Sequence, residues 1–259
     1  MTTVADILKF MESVAPRYMK MDWDNVGLLC GSRATPVTKV VVALDPFEHV
    51  CQEAADWGAE LIVTHHPIIF QAMKSITDET SIGRGLMLLC RNGISAINAH
   101  TNLDQAPGGV NDVLAQTLGL EYIQIIDAQG DPAYGLLRCG HVEEQSLTAF
   151  LAHVKQALGC GGLRYVDGGK PVRKVAVGGG SCASGMLDAL DAGCDTFVTS
   201  DIKYNQFWDA HDLALNLIDA GHFATENPVI PVLAAKLQQA FPDIQVKISE
   251  KHNDCMKFY

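Results

Sequence analysis

Two spacings of apolar residues alternate along this chain. Val4, Ile7, Leu8 and Met11 recur at helical intervals, which predicts a helix over Val4–Val14 that Pro16 brings to an end. Beyond it, short runs rich in Val, Ile and Leu alternate with amphipathic stretches, the pattern of βα units around a mostly parallel sheet. The fold class is α/β.

The pattern also repeats. VTKVVVALDPFEHVCQEAADWGAELIVTHHP, starting at Val37, is echoed by VRKVAVGGGSCASGMLDALDAGCDTFVTSDI, starting at Val172; Lys39, Gly58 and Thr64 recur as Lys174, Gly193 and Thr199 at a constant offset of 135. Each copy reads strand, helix, glycine, strand, with glycine where a helix ends in a left-handed residue. NGISAINAHTNLD from Asn92 resembles LALNLIDAGHFATE from Leu213, each an apolar strand followed by His-x-x-x-acid. Helices over 109–118 and 229–241 and strands over 122–126 and 244–248 are expected next. Two topologically similar halves follow, 1–127 with THHP and AHTNLD and 128–259 with TSDIKY and GHFATE; the second carries an extra strand and helix over 134–158.

Composition narrows the function. At 259 residues and 48% hydrophobic, the chain has ample material for a packed core. Nineteen Lys+Arg against 30 Asp+Glu give a formal charge of -11, which opposes phosphate neutralisation, so duplex nucleic acid is not an expected partner. No apolar run reaches the roughly 18 to 20 residues that span a bilayer, and the first residues lack a signal-peptide pattern, so a cytoplasmic protein without membrane contacts is expected. Eight cysteines without a Cys-x-x-Cys pair argue against a disulfide framework or thiolate zinc site; they read as small buried hydrophobes, with Cys255 the candidate for exposure.

The chemistry gathers in THHP, AHTNLD and GHFATE, each directly after an expected strand. Carboxyl ends of strands form the ligand crevice of open α/β sheets, so His65, His66, Asp104, His222 and Glu226 can converge, with His100 beside them. Pro67 cannot continue the strand ladder, so His65 and His66 lie beyond its end, where both rings can serve one cavity. Three imidazoles and two carboxylates suit two divalent transition-metal ions per chain, Zn, Mn, Fe or Ni, with positions left open to water; ordinary polar loop residues are the alternative. His100 is a candidate ligand, orienting group or proton-transfer group. Asp201 stands where the repeat places His66, and either serves the site or caps the following helix. Gly178, Gly179, Gly180 and Ser181 read as a tight turn or an anion nest. His49, His141, His153, His211 and His252 have no such company. Trp23, in the turn-rich MDWDNVGLLCG, is expected in its own domain's core, with packing against a neighbouring subunit as the second reading.

WDNVGL, THHP, AHTNLD and DAGHFATE together resemble the GTP cyclohydrolase I type 2 homologue family, the NGG-interacting-factor-like proteins. The resemblance implies two interlinked α/β domains, a dinuclear metal centre on His65, His66, Asp104, His222 and Glu226, and a ring-shaped homohexamer. Family members usually read Gly-Asp-x-x-x-His where this chain has Ser200, Asp201 and then Asn205; the change removes an acid/base group there and leaves the metal ligands in place. The function expected is a metal-dependent hydrolase of a small-molecule substrate, a nucleotide or related heterocycle, with His100 and Asp201 as candidate catalytic groups. The alternative is a non-catalytic metal-binding scaffold or regulator.

Overall fold

In the structure, a computed structural model, residues 1–126 and 133–259 are described. They form an α/β protein of two compact units, Met1–Leu103 with Ile230–Asn253, and Asp104–Val229 with Asp254–Tyr259. The boundary expected at 127 and 128 lies outside the described residues.

The first unit opens with α1 (Val4–Val14), whose buried residues are Val4, Ile7, Leu8 and Met11. Thr3 closes its N-terminus reciprocally: its hydroxyl accepts from the Asp6 amide, and the Asp6 carboxylate accepts from the Thr3 amide. There follow β1 (Gly27–Cys30), β2 (Lys39–Ala43), α2 (Glu48–Trp57), β3 (Leu61–Thr64), α3 (Ser81–Arg91), β4 (Ser95–Asn98) and α4 (Thr101–Gln105), which carries the chain into the second unit. That unit continues with α5 (Val110–Thr117), β5 (Glu121–Ile125), β6 (Arg138–Gln145), α6 (Leu147–Leu158), β7 (Arg164–Val166), β8 (Val172–Val177), α7 (Met186–Asp191), β9 (Thr196–Thr199), α8 (Tyr204–Asp212), β10 (Asn216–Asp219) and α9 (His222–Glu226). Last come α10 (Val229–Ala240) and β11 (Gln245–Ile248).

One sheet runs β1-β4-β3-β2-β11, the other β5-β6-β8-β9-β10-β7. In the first, β11, β2, β3 and β4 are parallel and β1 is an antiparallel edge. The second has a parallel core of β8, β9 and β10, extended by antiparallel β6 and β5 on one side and β7 on the other. The expected strand near 122–126 is thus an outer strand of the second sheet, and that near 244–248 is an outer strand of the first. This exchange of strands interlinks the sequence halves.

The second sheet is covered on both faces, as a parallel core requires. Val175, Val177, Val198 and Ile218 pack with Leu114, Phe150 and Val154, while Ala176, Phe197 and Leu217 pack with Met186, Ala189 and Ala210. In the first unit Val41, Ala43, Ile62 and Ala96 meet Val50, Cys51, Ala54, Leu86 and Leu89 from α2 and α3. Among the described residues no helix is long and apolar enough to cross a membrane.

The repeat extends to individual hydrogen bonds. The Glu60 carboxylate accepts from the backbone amides of Thr38 and Lys39, and the Lys39 ammonium donates to the Trp57 carbonyl. At the offset of 135, the Asp195 carboxylate accepts from the amides of Arg173 and Lys174, and the Lys174 ammonium donates to the Ala192 carbonyl. Gly58 and Gly193 both take positive φ, 71° and 75°, at the helix ends.

The C-terminal return to the first unit is fastened by Glu53 of α2. Its buried carboxylate accepts from the Ser249 hydroxyl and the amides of Glu250 and Lys251, and pairs with the Lys247 ammonium at 3.0 Å. Burial alone would raise this carboxyl, but the bonds from Ser249, Glu250 and Lys247 prevail and hold it at about 2. The lowered value stabilises the fold above the unfolded value of 4.5, and that contribution disappears as pH falls from there towards 2. Glu53→Gln is therefore expected to cost on the order of 2 kcal/mol at pH 7, with the gap to wild type narrowing between pH 4.5 and about 2. Urea unfolding of both proteins at pH 7 and pH 3 measures this, and a gap that does not change with pH would contradict it.

Candidate metal centre

In the first unit β3 stops at Thr64, and His65 and His66 follow before Pro67. The His65 amide donates to the Ala43 carbonyl and the His66 amide to the Leu44 carbonyl, so the backbone stays anchored to the end of β2 while both rings leave the sheet. Their centroids are 4.8 Å apart, and the His100 ring, just after β4, lies 5.3 Å from His65 and 5.5 Å from His66.

Each ring is held through Nδ1. His65 Nδ1 donates to the Ala99 carbonyl at 2.9 Å, His66 Nδ1 to Asp45 at 2.7 Å, and His100 Nδ1 to Asp24 at 2.8 Å. A carbonyl or carboxylate only accepts, so Nδ1 carries the proton and the lone pair of the neutral ring sits on Nε2. Asp24 also accepts from the Asn25 amide and from the amide and hydroxyl of Thr101. Burial would raise the Asp24 carboxyl, yet the bonds from His100 and Thr101 outweigh it and keep it ionised, at about 2.

In the second unit His222 and Glu226 lie four residues apart on α9 and share a face of the helix. His222 Nδ1 donates to Asp201 at 2.7 Å, and its Nε2 is 3.1 Å from a Glu226 carboxylate oxygen. Ligand bonds of about 2.0–2.1 Å at tetrahedral or octahedral angles put two ligand atoms of one ion roughly 2.9–3.3 Å apart, so this pair suits a shared cation. Asp201 has φ of 52°, a left-handed conformation that Asp tolerates better than most residues and that turns its carboxylate to His222. The helix after it is preceded by Lys203, not Asp201, at the N-cap.

The glycine turn after β8 backs this pair. A Cβ on Gly180, which has φ of 63°, would stand 2.1 Å from a Glu226 carboxylate oxygen and 3.2 Å from His222 Nε2. The Gly180 amide donates to the Thr225 hydroxyl, and its carbonyl accepts from the Ser200 amide and hydroxyl. Asp104 is buried on α4. Its backbone carbonyl accepts from the buried Asn111 amide group, whose oxygen accepts from the Gly179 amide, so one side chain ties the Asp104 segment to the glycine turn.

Histidine and acidic side chains therefore form groups that could hold a metal ion; in one of them, His65, His66 and His100 bring their ligand atoms within 4.8 Å of one another. Sequence patterns did not reveal the positioning residues Asp24, Asp45 and Asn111. Only Asp24 carried a signal, its place in WDNVGL. Trp23 departs from the expected core position: it is 60% exposed, and its ring meets Phe70, 48% exposed, and His100 edge-on at 5.8 and 6.1 Å. Asn205 is exposed on α8.

Residues 2–254 match the family model described as Duf34/NIF3 (NGG1p interacting factor 3). The chain is 35% identical over 257 residues to a GTP cyclohydrolase 1 type 2 homolog of Clostridium perfringens, covering 98% of both chains. It is 30% identical over 234 residues to the GTP cyclohydrolase 1 type 2 of Helicobacter pylori, covering 90% of this chain and 91% of that one. A hypothetical protein of Staphylococcus aureus superposes with a TM-score of 0.94 at 29% identity over 99% of each chain. Reduced HcgD from Methanocaldococcus jannaschii does so with a TM-score of 0.82 at 26% identity over 96% of this chain and 98% of that one. With a whole-length family match and relatives of this identity, the chain belongs to the NIF3 family.

Proposed function

We propose that the chain is a cytoplasmic metal-dependent hydrolase of a nucleotide or related heterocycle, with His65, His66, Asp104, His222 and Glu226 holding two divalent transition-metal ions per chain. The observation that carries this reading is common to the three histidines of that set: each commits Nδ1 to an oxygen acceptor and thereby puts its lone pair on Nε2. Metal-ligating histidines are held in the same manner. Divalent ions would supply Lewis acidity towards a substrate oxygen and would lower the pKa of water.

The chain's own residues then divide the work. Asp45, Asp201 and the Ala99 carbonyl orient ligand rings. Asp201, committed to His222, positions a ligand, which leaves His100 as the group to move a proton at the substrate. The exposed faces of Trp23 and Phe70 beside His100 suit a flat ring. The relatives' name, GTP cyclohydrolase 1 type 2 homolog, supports the same substrate class. With a net charge of -11, the protein needs the ions to offset repulsion of an anionic nucleotide.

Purified protein is expected to hold about two transition-metal ions per chain, and Asp104→Ala combined with Glu226→Ala about one or fewer. Gly180→Ala, which drives a methyl group into the Glu226 carboxylate, should weaken metal binding roughly tenfold or more while leaving the fold intact. Elemental analysis and competition with a chelator read both, and unchanged metal content in the double variant would refute the ligand assignment.

Metal-free protein reconstituted with Zn, Mn, Fe or Ni should turn over at least one member of a panel of nucleotides, phosphoesters and cyclic amides, with activity lost in Glu226→Ala. Tight metal binding with no turnover across the panel would instead support the non-catalytic scaffold.

The assembly proposed is a homohexamer, as the family resemblance implies. Light scattering in moderate salt should give six times the 28.0 kDa chain mass, and a stable monomer would overturn it.

A further inference from the structure

Cys30 ends β1 and Cys90 lies in the last turn of α3, sixty positions apart in sequence, and their sulfurs stand 3.7 Å from each other. Both belong to the first unit, and neither serves the histidine cluster. Cys90 is exposed and Cys30 half-buried, although the sequence singled out only Cys255 for exposure. A disulfide needs about 2.05 Å between sulfurs. The remaining gap is smaller than the roughly 3 Å that a cysteine sulfur travels between staggered rotamers, so side-chain rotation is of the size needed to close it.

We propose that Cys30 and Cys90 are an oxidisable dithiol, a modification site that closes to a reversible disulfide when Cys90 meets a hydroperoxide. The Cys90 thiolate attacks the peroxide oxygen: an S–O bond forms, the O–O bond breaks, and the departing oxygen leaves as water or an alcohol. Cys30 then attacks the Cys90 sulfur. The S–S bond forms, the S–O bond breaks, and hydroxide leaves with the Cys30 proton as water. Two thiols lose two electrons in all, and one hydroperoxide gains them.

The two roles follow from position. Burial, together with the neighbouring Cys90 sulfur, pushes the Cys30 thiol up to about 12, so it stays protonated at neutral pH. Cys90 faces solvent and is the sulfur that an oxidant reaches. Cys51 is no competitor: it is buried, its thiol donates to the Pro46 carbonyl, and burial raises it to about 12 as well. The product would tie the end of β1, paired with Ala96 near the amino end of β4, to the last turn of α3. His100 follows the opposite end of β4, so oxidation would touch no member of the histidine cluster.

Peptide mapping decides the matter because the two sulfurs fall in different tryptic fragments, residues 21–33 and 85–91. Reduced, desalted protein is treated with a small excess of hydrogen peroxide at neutral pH, remaining thiols are blocked with iodoacetamide, and a non-reducing digest is examined by mass spectrometry. The expected product is a linked 21–33 and 85–91 pair that dithiothreitol removes. Cys30→Ser should leave Cys90 as a sulfenic acid that dimedone traps, and Cys90→Ser should leave Cys30 fully alkylated. A Cys90 that stays alkylated in wild type, that overoxidises while Cys30 is alkylated, or that links only to another chain would overturn the proposal.

Discussion

An imidazole whose Nδ1–H is held by an acceptor presents its Nε2 lone pair in a fixed direction, and such acceptors surround His65, His66, His100 and His222. The acceptors come from the segments next to the strands: Ala99 after β4, Asp45 after β2, Asp24 before β1 and Asp201 after β9. Parallel strands make this possible because their carboxyl ends emerge on one edge, so a side chain leaving one strand meets backbone or carboxylate leaving the next. The register delivers it: Ala43 pairs with Thr64 and Thr64 with Asn98, placing Asp45, His65, His66 and Ala99 within two residues of aligned strand ends.

The repeat shows how two copies of one βα scaffold acquire different chemistry. At the offset of 135, His66 corresponds to Asp201 and Asp45 to Gly180. In the first copy a carboxylate at the end of β2 orients an imidazole at the end of β3. In the second, the carboxylate has moved to the end of β9, where it orients His222, and the position equivalent to Asp45 has lost its side chain. Gly180 is the counterpart of that exchange: Glu226 fills the volume that a side chain there would claim. The scaffold bonds of Lys39 and Glu60, and of Lys174 and Asp195, are unchanged between copies because they fasten helix to strand and are independent of what the strand ends carry.

The periodic features were legible in the sequence. The α1 face, the strands of both copies and the His-x-x-x-acid arms depend on contacts within a few residues, and each lies where the pattern predicted. Partners set by tertiary contact were not legible. Asp24 and His100 are 76 positions apart, Asn111 and Gly179 are 68 apart, and nothing in a local window signals either bond. The exchange of β5 and β11 between sheets is likewise a long-range choice, since a short apolar strand fits the edge of either. Trp23 departs from its expected core position, although a large aromatic is ordinarily worth most when buried. Here the acidic loop around it is tied down by Asp24, and the ring is left 60% exposed beside His100.

Among His65, His66, His100 and His222 the kind of acceptor follows burial. His65 is fully buried, and its partner is a neutral backbone carbonyl, which adds no net charge to the interior. His66, His100 and His222 retain solvent contact, with side-chain exposures of 18%, 15% and 35%, and their partners are carboxylates. A carboxylate raises the basicity of the ring it holds, but an ionised group costs several kcal/mol to bury unless its charge is answered. Asp24 is the instructive case, because its side chain is wholly inaccessible. It is kept ionised by four donors, the Asn25 amide, the His100 ring and the amide and hydroxyl of Thr101. Two of those donors belong to the first residue of α4, so the group that fixes His100 also fixes the start of the helix that bears Asp104. The aim of His100 and the start of α4 are thereby set by a single buried charge.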